Sequence, residues 1–325
     1  MSDRAYLARI VVPVFVSTIV LLTMPVLLAQ EVPAAAVLFP NFSEPGFTFS
    51  KRVDEVQLIF TVTDKRGHFI DKLGVDDFRL FDNEMPPEHL YNFEQRTNLP
   101  LQVVLLIDIS SSVQVRFKFE QKAAATFLKK ILQPGRDTAA VIAFGSTVRP
   151  IQGMTDNAAD LQSAIHGLRP YGDTALYDAL ILAAHSFTTQ PNAPRTRKVI
   201  VVLSDGNDTI SKARAEEAIT AVERAEASVV VVDSSFLDLA ELRRDEKSFI
   251  ERLTRMSGGF VIRAESNDGM TGAFRRIERG LRTQYALSYK PARMESDVAY
   301  RSIRILPQKS KWVVHCRSGY YAKRR

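Results

Sequence analysis

The chain holds a single cysteine, Cys316, in 325 residues. No intramolecular disulfide can form, so the fold must be held by packing. Histidine is scarce as well: His68, His89, His166, His185 and His315 are the five, and none falls in the His-Glu-x-x-His spacing of a zinc peptidase. Gly258-Gly259 is followed by neither Lys-Ser nor Lys-Thr, which excludes a phosphate loop there, and Ser110-Ser111-Ser112 is not a Gly-x-Ser-x-Gly nucleophile elbow. The charge is not one-sided. Lys and Arg number 43 against 37 Asp and Glu, a net +6 spread along the chain apart from the Lys323-Arg324-Arg325 tail. No nucleic-acid motif accompanies that mild excess, so no nucleic-acid partner is expected. Internal repeats are lacking, and 15 Gly and 15 Pro leave no room for a collagen-like or low-complexity architecture. At 46% hydrophobic and 25% charged the composition is that of a globular protein, and the length of 325 residues suits two domains, or one large domain with an appendage.

The one long apolar run lies at the start. Arg4 and Arg9 precede Ile10 to Ala29, broken only by Ser17, Thr18 and Thr23, and Leu27-Leu28-Ala29 stands before Gln30. A basic stretch, an apolar core and a small residue read as an export signal. The run is also long enough to span a bilayer as an uncleaved membrane anchor. Under either reading the rest of the protein is exported, to the periplasm, the cell envelope or the medium. Residues 30–52, rich in Pro, Ala, Ser and Phe without any period, read as a linker.

Two kinds of pattern follow. In 53–96, Val56, Leu58, Phe60 and Val62 alternate and turns stand at Asp64-Lys65-Arg66-Gly67 and Asp82-Asn83, predicting a β-rich flank. From 99 to 282, continuous apolar runs alternate with helical periods. Strands are predicted at Leu101 to Ile107, Ala139 to Phe144, Val148 to Ile151, Val199 to Leu203, Val229 to Val232 and Phe260 to Arg263. Helices are predicted at Val113 to Leu132, Asp156 to Leu168 with Asp156 as cap, Ala175 to Thr188, Lys212 to Ala227, Glu246 to Met256 and Gly269 to Leu281. Strands that read apolar on both faces, separated by helices, imply an α/β fold: a doubly wound, mostly parallel sheet. Alternation returns in 283–325, at Tyr285 to Tyr289, Tyr300 to Leu306 and Trp312 to Arg317, a second β-rich flank expected to pack with 53–96 in one small β-domain because domain termini lie close together, two separate β-appendages being the alternative. Cys316 lies in that last alternation and reads as a small core residue.

The chemistry sits where the first buried strand ends, at Asp108-x-Ser110-x-Ser112. In an extended loop these three side chains point to one side, at the carboxyl edge where open α/β sheets place ligands. Two further loops add Thr174, after Tyr171-Gly172-Asp173, and Asp205, in Leu203-Ser204-Asp205-Gly206-Asn207-Asp208. Hydroxyls and two carboxylates make a hard-oxygen site suited to Mg²⁺ and less well to Ca²⁺, with nothing soft enough to select zinc or copper. The plain alternative is that the serines cap the helix that follows. Asp173 and Asp208, nearby, read as solvated loop residues.

Asp108-x-Ser110-x-Ser112, Thr174 and Asp205-Gly206, in this order and strand context, resemble the metal-ion-dependent adhesion site of von Willebrand factor A domains across residues 99–282. The exported layout, the flank Val62-Thr63-Asp64-Lys65-Arg66-Gly67 and the ending Arg317-Ser318-Gly319-Tyr320-Tyr321 resemble more closely a bacterial family described as VWFA-related acidobacterial domain proteins. The resemblance implies a Rossmann-like binding and adhesion module, not an enzyme, with no catalytic residue. It makes Ser110, Ser112 and Thr174 direct ligands of Mg²⁺ (Mn²⁺ or Ca²⁺ in its place) and Asp108 and Asp205 direct or water-bridged ones. An Asp or Glu of a protein partner would complete the octahedron, and ligation would couple to displacement of the last helix. Two other readings stay open: an envelope scaffold whose metal staples loops, and a metal-dependent hydrolase with Asp205 or Asp173 as base.

Overall fold

The computed structural model describes residues 55–95, 99–187, 196–204, 208–234, 244–264, 267–293 and 300–321. The expected signal or anchor, the linker and Asp205 lie outside them. Among the described residues no helix is long and apolar enough to cross a membrane.

Three strands open the described chain: β1 (Val56–Asp64), β2 (Phe78–Asp82) and β3 (His89–Gln95). Then β4 (Leu101–Asp108) begins the α/β region, followed by α1 (Phe117–Ile131), β5 (Thr138–Phe144), β6 (Val148–Thr155), α2 (Ala158–His166) and α3 (Leu176–His185). It continues with β7 (Arg197–Ser204), α4 (Ala215–Ala225), β8 (Ser228–Asp233), α5 (Arg244–Ser257), β9 (Phe260–Arg263) and α6 (Asn267–Arg282). The last strands are β10 (Tyr285–Lys290), β11 (Tyr300–Pro307), β12 (Trp312–Cys316) and β13 (Gly319–Tyr321).

The central sheet has the order β6-β5-β4-β7-β8-β9. Its strands are parallel except β6, which runs antiparallel to β5. Burial on both faces accounts for the continuous apolar runs. Leu101, Val103, Leu105 and Ile107 pack toward α1, α2 and α6, while Val104 and Leu106 pack toward α3, α4 and α5. Each fully buried side chain of this size contributes about 1.5–3 kcal/mol. The chain leaves β4 for β5 on one side and places β7 on the other, so the strand order reverses beside the carboxyl end of β4. In a doubly wound sheet that reversal opens a crevice.

The other strands form two antiparallel sheets, β12-β1-β10-β3 and β13-β11-β2. Strands from both ends of the described chain therefore share a sheet, with Phe60 registered against Tyr285 on one side and Cys316 on the other. Their common core holds Leu58, Phe60, Tyr285, Tyr289 and Trp312. The ring of Tyr285 stacks on Phe60 and Phe93, with centroids 5.4 and 5.6 Å apart. Cys316 packs against this core, where burial pushes its thiol up to about 12. A fully buried ion pair, Arg301 Nη2 to Asp82 Oδ1 at 2.8 Å, is completed by Tyr289 and Tyr320, whose hydroxyls donate to Asp82 Oδ2 at 2.7 and 3.0 Å. Arg301 Nε also donates to Asp82 Oδ1 at 2.9 Å, so one carboxylate gathers a guanidinium and two hydroxyls in the interior.

The β strands join the α/β region through close backbone contacts. Ser318 N donates to Met256 O at 3.0 Å, and Gly258, at φ +75°, lets Arg317 approach so closely that a Cβ would clash with its amide nitrogen. Arg197 ties the two ends of the α/β region together: its Nη1 donates to Leu281 O at 2.6 Å and to Gln284 Oε1 at 3.0 Å, and its amide donates to Pro100 O at 2.8 Å.

Several local expectations need correction. The helix expected from Val113 starts at Phe117, because Ser111–Val113 closes a 3₁₀ turn first. Asp156 does not cap α2. Asn157 does, accepting from Ala159 N at 2.9 Å, while Asp156 accepts from Gly135 N at 2.9 Å. The short strand at Val148 extends to Thr155. Strands β3 and β13 were not anticipated: the former is mostly exposed and lacks alternation, and the latter is three residues long.

Candidate metal centre

Asp108, the last residue of β4, has no exposed surface. Its Oδ1 accepts from Ser110 N at 2.8 Å, and its Oδ2 accepts from the hydroxyl of Ser204, the last residue of β7, at 2.6 Å. The carboxylate is thus fixed by its own loop and by the neighbouring strand at the point where strand order reverses. Ser110 is extended, with φ −65° and ψ 165°. This conformation aligns the hydroxyls of Ser110 and Ser112, which lie 2.9 Å apart. Ser110 is 2% exposed and Ser112 is exposed, so the pair points from the interior toward solvent.

Neither serine serves as a helix cap. The 3₁₀ turn and α1 both begin without a side-chain cap hydrogen bond, the position before α1 being Arg116. That removes the reading in which these hydroxyls only terminate a helix.

The 171–174 loop is pinned against this one by a reciprocal pair: Ser111 N donates to Gly172 O at 2.9 Å, and Gly172 N donates to Ser111 Oγ at 3.0 Å. Gly172 has φ +85°, and a Cβ there would clash with Ser146 Oγ. Backbone and space both call for glycine. Two residues on, Thr174 is 4% exposed. It is held by Thr209, which accepts from Thr174 N at 2.9 Å and returns its own amide to Thr174 O at 2.8 Å. Asp208 is not merely solvated: its Oδ1 accepts from Tyr177 N at 3.1 Å and from Ser211 Oγ at 2.5 Å, fastening the 208–211 loop to α3. Asp173 is exposed.

The structure thus brings Asp108, Ser110 and Ser112 to one edge and fastens the loop of Thr174 beside them. Asp205 lies outside the described residues. Sequence reasoning missed Ser204, Ser111 and Thr209, which hold the predicted residues in place. The signal for Ser204 was its position at a strand end directly before Asp205.

Behind the edge, Glu120 of α1 is completely buried and receives Arg116 Nε at 2.9 Å. Burial pushes its carboxyl up to about 7, against the pull of the Arg116 guanidinium and the Ser234 hydroxyl, and the nearby Asp108 carboxylate adds to the rise.

The donor set can be tested against an ion. Among the described residues no cluster of three or more His, Cys, Asp or Glu could hold a metal; the donors gathered at this edge are the Ser110 and Ser112 hydroxyls beside the Asp108 carboxylate. Mg²⁺ takes oxygen ligands at 2.0–2.1 Å in an octahedron, which places adjacent ligands about 2.9 Å apart. The Ser110 and Ser112 hydroxyls, hydrogen-bonded to each other, stand at 2.9 Å, a separation two adjacent ligands could keep. The residues present fit a small hard cation.

Residues 103–207 match the family model of the von Willebrand factor type A domain, a stretch running from β4 past the end of β7. The chain therefore carries a von Willebrand factor type A domain, with Asp108, Ser110, Ser112, Thr174 and Asp205 all inside the matched segment. No curated protein matches the sequence. Among solved structures the chain is similar to the conserved hypothetical protein BatB from Bacteroides thetaiotaomicron, at 18% identity, covering 55% of this chain and 98% of that one with a TM-score of 0.43. It is similar to the vWF domain of the type V pili tip protein Mfa5 from Porphyromonas gingivalis, at 14% identity over 56% and 95% with a TM-score of 0.46. It is also similar to the PilB minor pilin from Streptococcus sanguinis, at 15% identity over 57% and 62% with a TM-score of 0.44.

Proposed function

We propose that this protein is an exported binding module, not an enzyme, that holds a divalent cation at the carboxyl edge of its central sheet and bridges through it to an acidic residue of a protein partner. Ser110, Ser112 and Thr174 would ligate the ion, with Asp108 and Asp205 completing the site directly or through water. Mg²⁺ is the expected ion, with Mn²⁺ or Ca²⁺ able to replace it. The observation that carries this reading is the pair of serine hydroxyls, 2.9 Å apart, capping no helix, above a carboxylate held on both oxygens.

Because Asp108 already accepts hydrogen bonds on Oδ1 and Oδ2, its suited part is to hold ion-bound water and set the local field. The hydroxyls are neutral, so they leave charge on the ion. When bound, the ion would supply an electrophilic position for a carboxylate oxygen. The chain's own residues fix the hydroxyls, and the Ser111–Gly172 pair holds the second loop against the first. That pair, with the Asp208 bonds to α3, also disfavours the scaffold reading, since these loops are fastened without a metal.

The test is calorimetric titration of Mg²⁺ and Mn²⁺ into the full-length protein and into Ser112→Ala. Ser112 is exposed, so the variant should fold. Saturable binding by the wild type, lost or weakened at least tenfold in Ser112→Ala, is the expected result. Equal titration of both proteins, or none by either, would overturn the reading.

A further inference from the structure

We propose that the face made by α1 and α6 docks on the phosphate headgroups of an anionic lipid bilayer, independently of any ion at the sheet edge. Helices α1 and α6 hold eight Lys and Arg against three Asp and Glu, an excess of five in a chain whose whole excess is six. Far apart in sequence, the two helices share one apolar core in the fold, and their Phe127 and Phe274 rings lie 4.9 Å apart. The third helix of this face, α2, adds only Asp160. On the opposite face α3, α4 and α5 together hold five Lys and Arg against seven Asp and Glu. The two faces of the sheet therefore differ in sign.

All eight cations of α1 and α6 are exposed. Arg282 pairs with Glu278 at 3.2 Å, and Arg276 donates to Gly67 O at 3.1 Å. The other six take part in no ion pair among the described residues. They also stand in rows. Lys118, Lys122 and Lys130 share an i, i+4 row of α1 with Thr126, and Arg275 and Arg279 share one of α6 with Thr271. An acidic residue at either threonine would pair with its neighbours, whereas like charges at this spacing repel. The helix dipole favours cations in the last turn, which accounts for Lys129, Lys130, Arg279 and Arg282. It disfavours Lys118 in the first turn of α1 and does nothing for Lys122 or Arg275. Surfaces that serve solubility alone intersperse the two signs.

Shape selects the kind of anion. Each helix is about 22–24 Å long, and packed helix axes lie about 8–10 Å apart, so the rows spread over a plane. A groove of about 640 Å³ lies on the opposite face, between α3 and α4. A single polymer strand is tracked by a groove with stacking rings. Of the large apolar residues on α1 and α6 only Phe119 is exposed. A plane of headgroups meets both rows at once. Guanidinium groups take phosphate oxygens in pairs and lysines add point charge, each strengthening attachment near the surface. The acidic α3–α5 face then turns to bulk water, and the carboxyl edge of the sheet lies beside the contact rather than beneath it.

The test is amine-reactive labelling of the full-length protein, read lysine by lysine in a mass spectrometer. The vesicles are phosphatidylcholine alone, or phosphatidylcholine and phosphatidylglycerol in equal parts. An N-terminal apolar run that inserts would bring the chain to either vesicle, so protection of single lysines is read rather than sedimentation. Labelling of Lys118, Lys122, Lys129 and Lys130 should fall about threefold or more with the anionic vesicles. Lys212 and Lys309, exposed outside this face, should not change. Protection should vanish with phosphatidylcholine alone and in about 0.5 M NaCl. Arg275→Glu/Arg279→Glu keeps all four reporters and should lose the protection, with Arg275→Gln/Arg279→Gln in its place if the reversal does not fold. Equal protection of all lysines, equal protection by neutral vesicles, no protection, or full protection in the arginine variants would overturn the proposal. Stronger protection by soluble polyphosphate at equal phosphate concentration would assign the face to a free polymer and overturn it.

Discussion

Replacing Glu120 with glutamine should make the protein more stable in alkaline solution and leave it unchanged in acid. Glu120 is fully buried beneath the candidate metal edge, and its carboxyl is pushed up to about 7 from an ordinary value of 4.5. The folded protein therefore holds this proton more tightly than the unfolded chain. Between pH 4.5 and 7 the native state binds the extra proton, so stability falls as pH rises through that window. Two and a half pH units at about 1.4 kcal/mol each amount to about 3 kcal/mol lost by pH 8. Glutamine keeps the volume and an acceptor for Arg116 Nε, 2.9 Å away, but never ionises. The Arg116 side chain is 11% exposed and keeps a route to water. Urea denaturation of both proteins at pH 4.5 and pH 8 provides the assay. Every other carboxylate contributes equally to the two, so the difference isolates Glu120. The variant should match the wild type at pH 4.5 and exceed it by about 3 kcal/mol at pH 8. A constant difference at both pH values, or a variant weaker at pH 8, would refute the assignment of a raised carboxyl.

Two other substitutions probe the site and the core. Ser204→Ala removes the donor to Asp108 Oδ2 and should cost about 1–3 kcal/mol by denaturant unfolding, with Mg²⁺ affinity lowered about 10- to 100-fold by calorimetry; unchanged metal affinity would show that Asp108 needs no support from β7. Asp82→Ala leaves the buried Arg301 guanidinium without its carboxylate and should cost about 3–5 kcal/mol in the same unfolding assay, whereas a loss below about 1 kcal/mol would mean that water reaches Arg301.

What could be read from the sequence follows a physical division. The α/β region was legible because a strand buried on both faces must be apolar without interruption, as in Leu101 to Ile107 and Val199 to Leu203, and short apolar runs of that kind between helical periods fit little else than a parallel sheet. Residues 260–263 were located to the residue although only Ile262 is buried there, because the Ser257-Gly258-Gly259 break before them ends α5. Boundaries failed where backbone geometry outweighs hydropathy. Nothing in Val113–Arg116 announces that a 3₁₀ turn will delay α1, and Asp156 and Asn157 are equally good caps until Gly135 claims the former. For the site, the types and order of Asp108, Ser110, Ser112 and Thr174 were visible, but their supports were not. Ser204 matters through a strand pairing, its one local mark being its place before Asp205, and Thr209 through a loop contact that leaves none. The edge strand β3 was hidden because four of its seven residues in a row face solvent.

The clamp made by Arg197 also constrains the order in which the chain can fold. Strand β1 is made early, yet its partners β10 and β12 lie far along the chain, beyond the whole α/β region. Closing so long a loop in a disordered chain is entropically slow. The α/β region resolves this by folding on contacts nearer in sequence. Once folded, Arg197 holds Leu281 O and Gln284 beside Pro100 O, setting the two emerging segments side by side. The remaining search for β1 to find β10 is then short. Until that moment β1 presents Leu58, Phe60 and Val62 and both of its edges to the surroundings. The interval between making β1 and completing α6 is therefore when this chain is most open to pairing with the wrong partner.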